Sequence, residues 1–233
     1  MGTLAAGFAH AVPSVSVLAA IAGRARVPRL GPIRLRGGGG DGRVALTFDD
    51  GPSPTTTPRV LALLDKLGLR ATFFVTGSEV DAYPGLVEDI RAASHDVETH
   101  GMEHAHHLLR GPGWVLADTA RAVEGLRAVG VTPRYLRPPY GQASAGTLLA
   151  ARRFGLVPVL WSAWGREFSD RSADAVAGRV NRGLVPGAVV LFHDSDRLCG
   201  EGSVAAVEGA LPLVAEELER RGLRSATVAE VLG

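Results

Sequence analysis

The chain has 233 residues, 46% of them hydrophobic and 21% charged, with a formal net charge of +1. That length supports one globular domain with its own core and is too short for two large ones. The near-neutral balance excludes nucleic-acid binding by bulk charge, and the single cysteine, Cys199, excludes an internal disulfide and a multi-thiolate metal centre.

The first 23 residues differ from the rest. Between Leu4 and Ala22 no side chain is acidic or basic apart from His10. Ala20-Ile21-Ala22 has the small-x-small form of a signal cleavage site. However, Arg24, Arg26, Arg29, Arg34 and Arg36 follow the apolar stretch rather than precede it. That order favours a cytoplasmic or membrane-peripheral domain over an exported one. Residues 1–42 therefore read as an apolar arm ending in a glycine joint at Gly37–Gly40, with a signal, an anchor or membrane contact through residues 1–23 as alternatives.

From Arg43 to Gly233 the pattern is one domain of repeated strand-then-helix units. Strands are predicted at Arg43–Phe48, Arg70–Val75, Asp96–Thr99, Tyr135–Arg137, Val157–Trp161, Ala188–Phe192 and Arg224–Thr227. Helices are predicted at Pro58–Leu67, Leu86–Ala93, Trp114–Val129, Ala145–Phe154, Ala173–Arg182 and Val204–Arg221. Alternation of this kind argues for a parallel sheet, most simply closed as a barrel.

Chemistry-bearing residues sit at the predicted strand ends. Asp49 and Asp50 follow the first strand, and Gly51-Pro52 breaks it. Adjacent carboxylates disfavour one another's ionisation, yet an Asp-Asp-Gly-Pro turn alone fits a plain polar turn equally well. His100 ends the third strand and His104 lies four residues on. With Asp50 they form two histidines and a carboxylate, a set that suits a catalytic zinc. His106 and His107 read as solvated bystanders, and His95 as a capping or packing residue. Arg137-Pro138-Pro139-Tyr140-Gly141 is either a proline turn with a surface arginine or a stiff loop whose guanidinium orients a carboxylate. His193, after Leu191-Phe192, is either a satisfied core residue or a proton donor.

Taken in order, Thr47–Pro52, His100 with His104, Arg137–Gly141 and Leu191–His193 resemble the motifs of the polysaccharide deacetylases, carbohydrate esterase family four. The similarity covers about residues 43–230. It implies an α/β fold, a distorted (β/α) barrel of seven or eight strands. It assigns Asp49 as general base, and Asp50, His100 and His104 as ligands of one divalent ion, most simply zinc, with cobalt, nickel or manganese as alternatives. Arg137 would tether Asp49, Tyr140 would offer an oxyanion N–H, and His193 would be the general acid. Substrate contacts fall on Pro138, Tyr140, Trp161, Phe168 and Leu191. One motif departs from the family: its usual Asp-Trp pair aligns with Glu167-Phe168. The acidic partner of His193 is then one methylene longer.

By this resemblance the reaction is metal-dependent removal of an N-acetyl group from an N-acetylated oligo- or polysaccharide, or a small glycoside. The alternatives are an O-acetyl esterase on xylan-like glycans, a deacylase of a small glycosylated metabolite, and a weakly active carbohydrate-binding relative.

Overall fold

The computed structural model describes residues 33–38 and 41–233. The apolar arm expected over residues 1–23 lies outside the described residues, as do Gly39 and Gly40 of the joint. The strands are β1 (Arg43–Asp49), β2 (Thr72–Val75), β3 (Asp96–Thr99), β4 (Tyr135–Leu136), β5 (Val157–Pro158), β6 (Ala163–Trp164), β7 (Val189–His193) and β8 (Arg224–Ala226). The helices are α1 (Thr57–Lys66), α2 (Gly77–Ala82), α3 (Pro84–Ala92), α4 (Pro112–Ala128), α5 (Ala145–Phe154), α6 (Ala173–Gly183), α7 (Asp196–Cys199), α8 (Ser203–Arg220) and α9 (Val228–Leu232).

All strands run parallel in one sheet, ordered β5-β4-β3-β2-β1-β7-β6, with β8 also paired to β1. β7 takes one edge of β1 along Ala45–Asp49. The other edge is shared: β2 pairs with Thr47–Asp49 and β8 with Arg43–Ala45. Strand alternation sorts the side chains into two layers. Val44, Leu46, Phe48, Phe73, Val75, Val190 and Phe192 face the helices in the main core. Ala45, Phe74, Tyr135, Val159 and Val189 fill a smaller cluster inside the curl. Both faces of the central strands are therefore buried, which is why they read as continuous apolar runs. Phe48 stacks between Phe73 and Phe192, with centroids at 5.0 and 5.6 Å.

The sheet is curled but not closed by its own strands: among the described residues, the edge strands β5 and β6 do not pair with each other. Residues 33–38 lie along that gap. Arg34 bridges to Val159 and Arg36 to Ala188, and the Gly37 N–H donates to the Gly187 carbonyl at 2.8 Å. Gly37 passes so close to the Val231 carbonyl that a Cβ would come within 2.0 Å of it.

The predicted strand Val157–Trp161 is corrected. Only Val157–Pro158 is strand, and the chain re-enters the sheet at Ala163. The carbonyls of Val159 and Leu160 instead accept from the Arg137 guanidinium, each at 3.3 Å. Helices α2, α7 and α9 were not predicted; at 6, 4 and 5 residues they are too short to display a 3.6-residue period. The start of α9 did carry a signal, the Thr227–Glu230 capping box.

Truncating Phe48 to alanine removes the ring that joins three strands. The variant is expected to lose about 3–5 kcal/mol of stability, measured by urea unfolding against the parent protein.

Candidate active site

The carboxyl end of β1 carries Asp49 and Asp50. In a regular strand these neighbours would point to opposite faces. Asp50 instead has φ of 76°, in the left-handed region that aspartate tolerates better than most residues. The turn brings both carboxylates to the same histidine: His100 Nε2 is 3.4 Å from Asp50 Oδ1 and 3.9 Å from Asp49 Oδ2. Gly51 follows through a cis bond to Pro52. A Cβ on Gly51 would fall 2.2 Å from Asp194 Oδ2. Asp194 is buried, accepts from the Thr57 hydroxyl, and through its carbonyl accepts from Thr56 Oγ1 at 2.6 Å. Burial, opposed by Thr57 and helped by the Asp50 charge, pushes its carboxyl up to about 7.

His100 lies just past β3, where its Nδ1 is 2.8 Å from the Arg137 carbonyl. A carbonyl only accepts, so Nδ1 carries the proton and Nε2 presents its lone pair to Asp50. His104 Nε2 is 3.2 Å from the same Asp50 oxygen. One ligand atom from each of Asp50, His100 and His104 lies within 4.8 Å of the other two. Asp50 Oδ1 is buried without a hydrogen-bond partner. Burial disfavours a charge on Asp50, but positive charge close by, first on His104 and then on His193, outweighs it and holds the carboxyl well below its usual range. An orphaned carboxylate oxygen facing two imidazole nitrogens fits a divalent cation.

The loop bearing these histidines is fastened from behind. Asp118, on the buried face of α4, accepts from the backbone N–H of Met102 at 2.9 Å and of Glu103 at 3.0 Å. The first N–H groups of α2, from Gly77 and Ser78, donate to the carbonyls of Gly101 and Met102 at 2.8 and 3.1 Å. An exposed α2 N-terminus would leave those donors to water.

Arg137 is wholly buried. Its Nη1 donates to Asp49 Oδ1 at 2.6 Å and to Thr47 Oγ1 at 2.7 Å. The guanidinium lies over the Phe74 ring at 4.0 Å. Burial lowers its pKa and the Asp49 charge opposes that shift. Across the site, His193 Nδ1 is 2.8 Å from Glu167 Oε1, and Glu167 is 0% exposed. Burial works against a charge on His193, yet the Cys199 sulfur and the Glu167 carboxylate outweigh it and hold the imidazole well above its usual pKa. The Cys199 thiol is itself pushed up by burial and stays neutral, so the carboxylate is the lasting cause.

Tyr140 has φ of 59°, and its ring stacks on His106 with centroids 3.7 Å apart and meets His104 edge-on at 4.3 Å. Trp161, Trp164 and Phe168 form a chain of rings at 5.6 and 5.2 Å. Pro138 and Leu191 are buried. Leu191 lies two residues before His193 on the same face of β7, so it underlies the site.

Thus Asp49, Asp50, His100, His104, Arg137, Glu167 and His193 converge from the ends of β1, β3, β4 and β7 and the loop after β6. One expectation is corrected: His107 is no solvated bystander. It is 0% exposed, with Nδ1 2.9 Å from Thr147 Oγ1, because the loop folds it under α5. Burial and the nearby His100 and His104 push its pKa down to about 4. His106, half-buried against Tyr140, has Nδ1 2.8 Å from Gln142 Oε1. Sequence reading passed over Thr47, Asp118 and Asp194. Asp118 had a signal: it shares a helical stripe with Val115, Ala122 and Leu126, where a carboxylate has no place unless it is bonded.

The family profile described as polysaccharide deacetylase matches residues 36–159. The chain belongs to the polysaccharide deacetylase family. Among its relatives, a Bradyrhizobium chitooligosaccharide deacetylase is 34% identical over 187 residues, covering 77% of this chain and 85% of that enzyme. A Bacillus cereus peptidoglycan-N-acetylglucosamine deacetylase is 32% identical over 194 residues, covering 81% and 87%. This deacetylase-family chain spans 39% of the longer Listeria monocytogenes enzyme PgdA, at 33% identity. Of solved structures, a peptidoglycan N-acetylglucosamine deacetylase in complex with an N-oxidanyl-benzamide superposes with a TM-score of 0.80 at 27% identity, covering 86% of this chain and 92% of that one. A family 4 carbohydrate esterase from Streptomyces lividans in complex with acetate gives 0.72 at 33%, covering 80% and 92%.

Replacing His100 with alanine removes one of the three candidate ligands Asp50, His100 and His104. Elemental analysis of the purified variant, alongside the parent, should show loss of the divalent ion that this set is expected to hold; retention at unchanged affinity would reassign the ligands.

Proposed function

We propose that this chain is a metal-dependent hydrolase that removes an N-acetyl group from an amino-sugar-containing glycan, releasing acetate and a free amine. The observation that carries the reading is the pairing, within one buried site, of an Asp-His-His ligand set with two neighbours, each held by a group of opposite charge. One is Asp49 held by Arg137, and the other is His193 held by Glu167. The chitooligosaccharide and peptidoglycan deacetylase names of the relatives support the substrate class.

A divalent ion held by Asp50, His100 and His104 supplies a Lewis acid for the acyl carbonyl and the attacking water; zinc suits this donor set, with cobalt, nickel or manganese as substitutes. Asp49, aimed by Arg137, takes the proton of the attacking water. The backbone N–H of Tyr140 shares the negative charge that develops on the acyl oxygen. An amine leaves poorly until protonated, and His193 donates that proton. Glu167 keeps His193 charged until then and holds its Nδ1, so Nε2 faces the substrate. Trp161 and Phe168, both half-buried, line the approach for sugar rings, with Pro138 stiffening the loop behind. A cytoplasmic or membrane-peripheral location, with membrane contact through residues 1–23 as an alternative to a plain apolar arm, is proposed from the arginines that follow the apolar stretch.

Acetate release across N-acetylglucosamine oligomers, peptidoglycan and acetylxylan tests the reading directly. Turnover confined to acetylxylan would replace the amidase with an esterase. Asp49→Asn should keep the metal and the fold but slow turnover by roughly 10²–10⁴-fold.

Glu167→Gln removes the charge that holds the His193 pKa up. The active form is the protonated one, so activity falls as pH rises through that pKa. The basic limb of the kcat/KM profile should therefore move to lower pH in the variant. His193→Ala should slow amide hydrolysis far more than hydrolysis of an activated ester, whose leaving group needs no proton. Equal losses on both would remove His193 as the donor.

A further inference from the structure

The carboxylate of Asp50 has two oxygens, and the ligand set described above uses only one. Oδ1 faces His100 and His104. Oδ2 faces the other way, 3.9 Å from His193 Nε2. The third group is the buried thiol of Cys199, at the end of α7. A carboxylate oxygen of Asp50, a ring nitrogen of His193 and the Cys199 sulfur all lie within 4.8 Å of one another, and all three residues are buried.

These three donors are held in place rather than gathered by chance. His193 Nδ1 is tied to Glu167, which leaves Nε2 free to face Asp50. The short α7 that ends in Cys199 is clamped at both ends. The Asp196 carboxylate accepts from the N–H of Val204 at 2.8 Å and of Gly202 at 3.3 Å. The Ser203 hydroxyl donates to the Cys199 carbonyl at 2.8 Å. A thiolate, an imidazole and a carboxylate within this spacing are three donors that one divalent ion can take together, and the sulfur favours soft or borderline ions.

We propose that Asp50, His193 and Cys199 form a second, inhibitory site for a thiophilic divalent ion such as zinc or cadmium, with Asp50 bridging the two sites. Binding displaces a proton from the thiol and, where present, from the imidazole. It occupies the His193 nitrogen that would otherwise give its proton to the leaving amine. Excess zinc then blocks the enzyme that one equivalent of zinc sustains. The inhibitory consequence rests on the proposed role of His193; the binding site itself does not.

Cobalt reports the two sites separately. The metal-free protein is titrated with cobalt(II), with stoichiometry read by calorimetry and thiolate coordination read by the sulfur-to-cobalt charge-transfer band. Cys199 is the sole cysteine, so that band has a single source. The expected result is two classes of binding, with the band growing in the second. Cys199→Ser and Cys199→Ala should each lose the band and the second class while keeping the first; using both guards against a folding defect in either. His104→Ala should lose the first class and keep the band. In the same proteins, inhibition by excess zinc should be lost in the Cys199 variants, each scored against its own activity without excess zinc. One class of binding and no charge-transfer band in the parent would overturn the site. A band without zinc inhibition would overturn its inhibitory role. An enzyme inactive on every acetylated glycan would instead overturn the proposed function and leave the binding result standing.

Discussion

The buried ion pair between Arg137 and Asp49 is the constraint on which the site depends. A guanidinium with no solvent exposure is costly unless its donors are taken. Here they are distributed over Asp49, Thr47 and the carbonyls of Val159 and Leu160. These acceptors lie on two separate segments, the end of β1 and the stretch that leaves β5, so one side chain fastens the two together. The carbonyl of the same residue receives His100 Nδ1–H. The orientation of a candidate base and that of a candidate metal ligand thus pass through one residue. A lysine would not substitute, since an ammonium cannot reach these acceptors with a planar fork.

The second requirement is to place two adjacent carboxylates in one cavity without placing them on each other. The left-handed backbone at Asp50 does this, and it is held by its surroundings rather than by preference. Asp194 packs against Gly51 so closely that only glycine fits, and Thr56 and Thr57 at the start of α1 hold Asp194 in turn. With the turn made, Asp49 meets a fixed cation and Asp50 meets imidazoles. Their environments differ although they are neighbours in the chain.

Behind the residues that could touch substrate stands a layer of buried polar groups that hold loops. Asp118 grips the loop between His100 and His104, Glu98 accepts the N–H groups of Arg134 and Tyr135 at 2.7 and 2.8 Å ahead of β4, and His107 is held at Thr147. Loops at the carboxyl ends of barrel strands carry the chemistry in folds of this kind. A loop holds a ligand in position only when its own backbone groups are bonded. These buried groups serve that end, at a desolvation cost visible in the raised carboxyl of Glu98, pushed to about 7 mainly by burial.

The amino-acid sequence by itself determined the strand–helix alternation, the parallel sheet and the strand-end positions of Asp49, Asp50, His100, Arg137 and His193. Those follow from local periodicity and from polar residues interrupting apolar runs, and both are properties of near neighbours. It also determined the family, because four motifs recur in order. Only the tertiary structure decided that the sheet stays open between β5 and β6, and that residues 33–38 lie in the gap. It alone turned the end of the predicted Val157–Trp161 strand into acceptors for Arg137. Likewise His107, polar by type and flanked by histidines, reads as exposed until α5 closes over it. Its burial depends on Thr147, forty positions away. The distance from Glu167 to His193 is of the same kind: an extra methylene is compatible with contact or with solvent, and the path of the loop after β6 decides. Pairings between distant segments are set by packing and by the need to satisfy buried polar groups, and no local pattern encodes which partner will arrive.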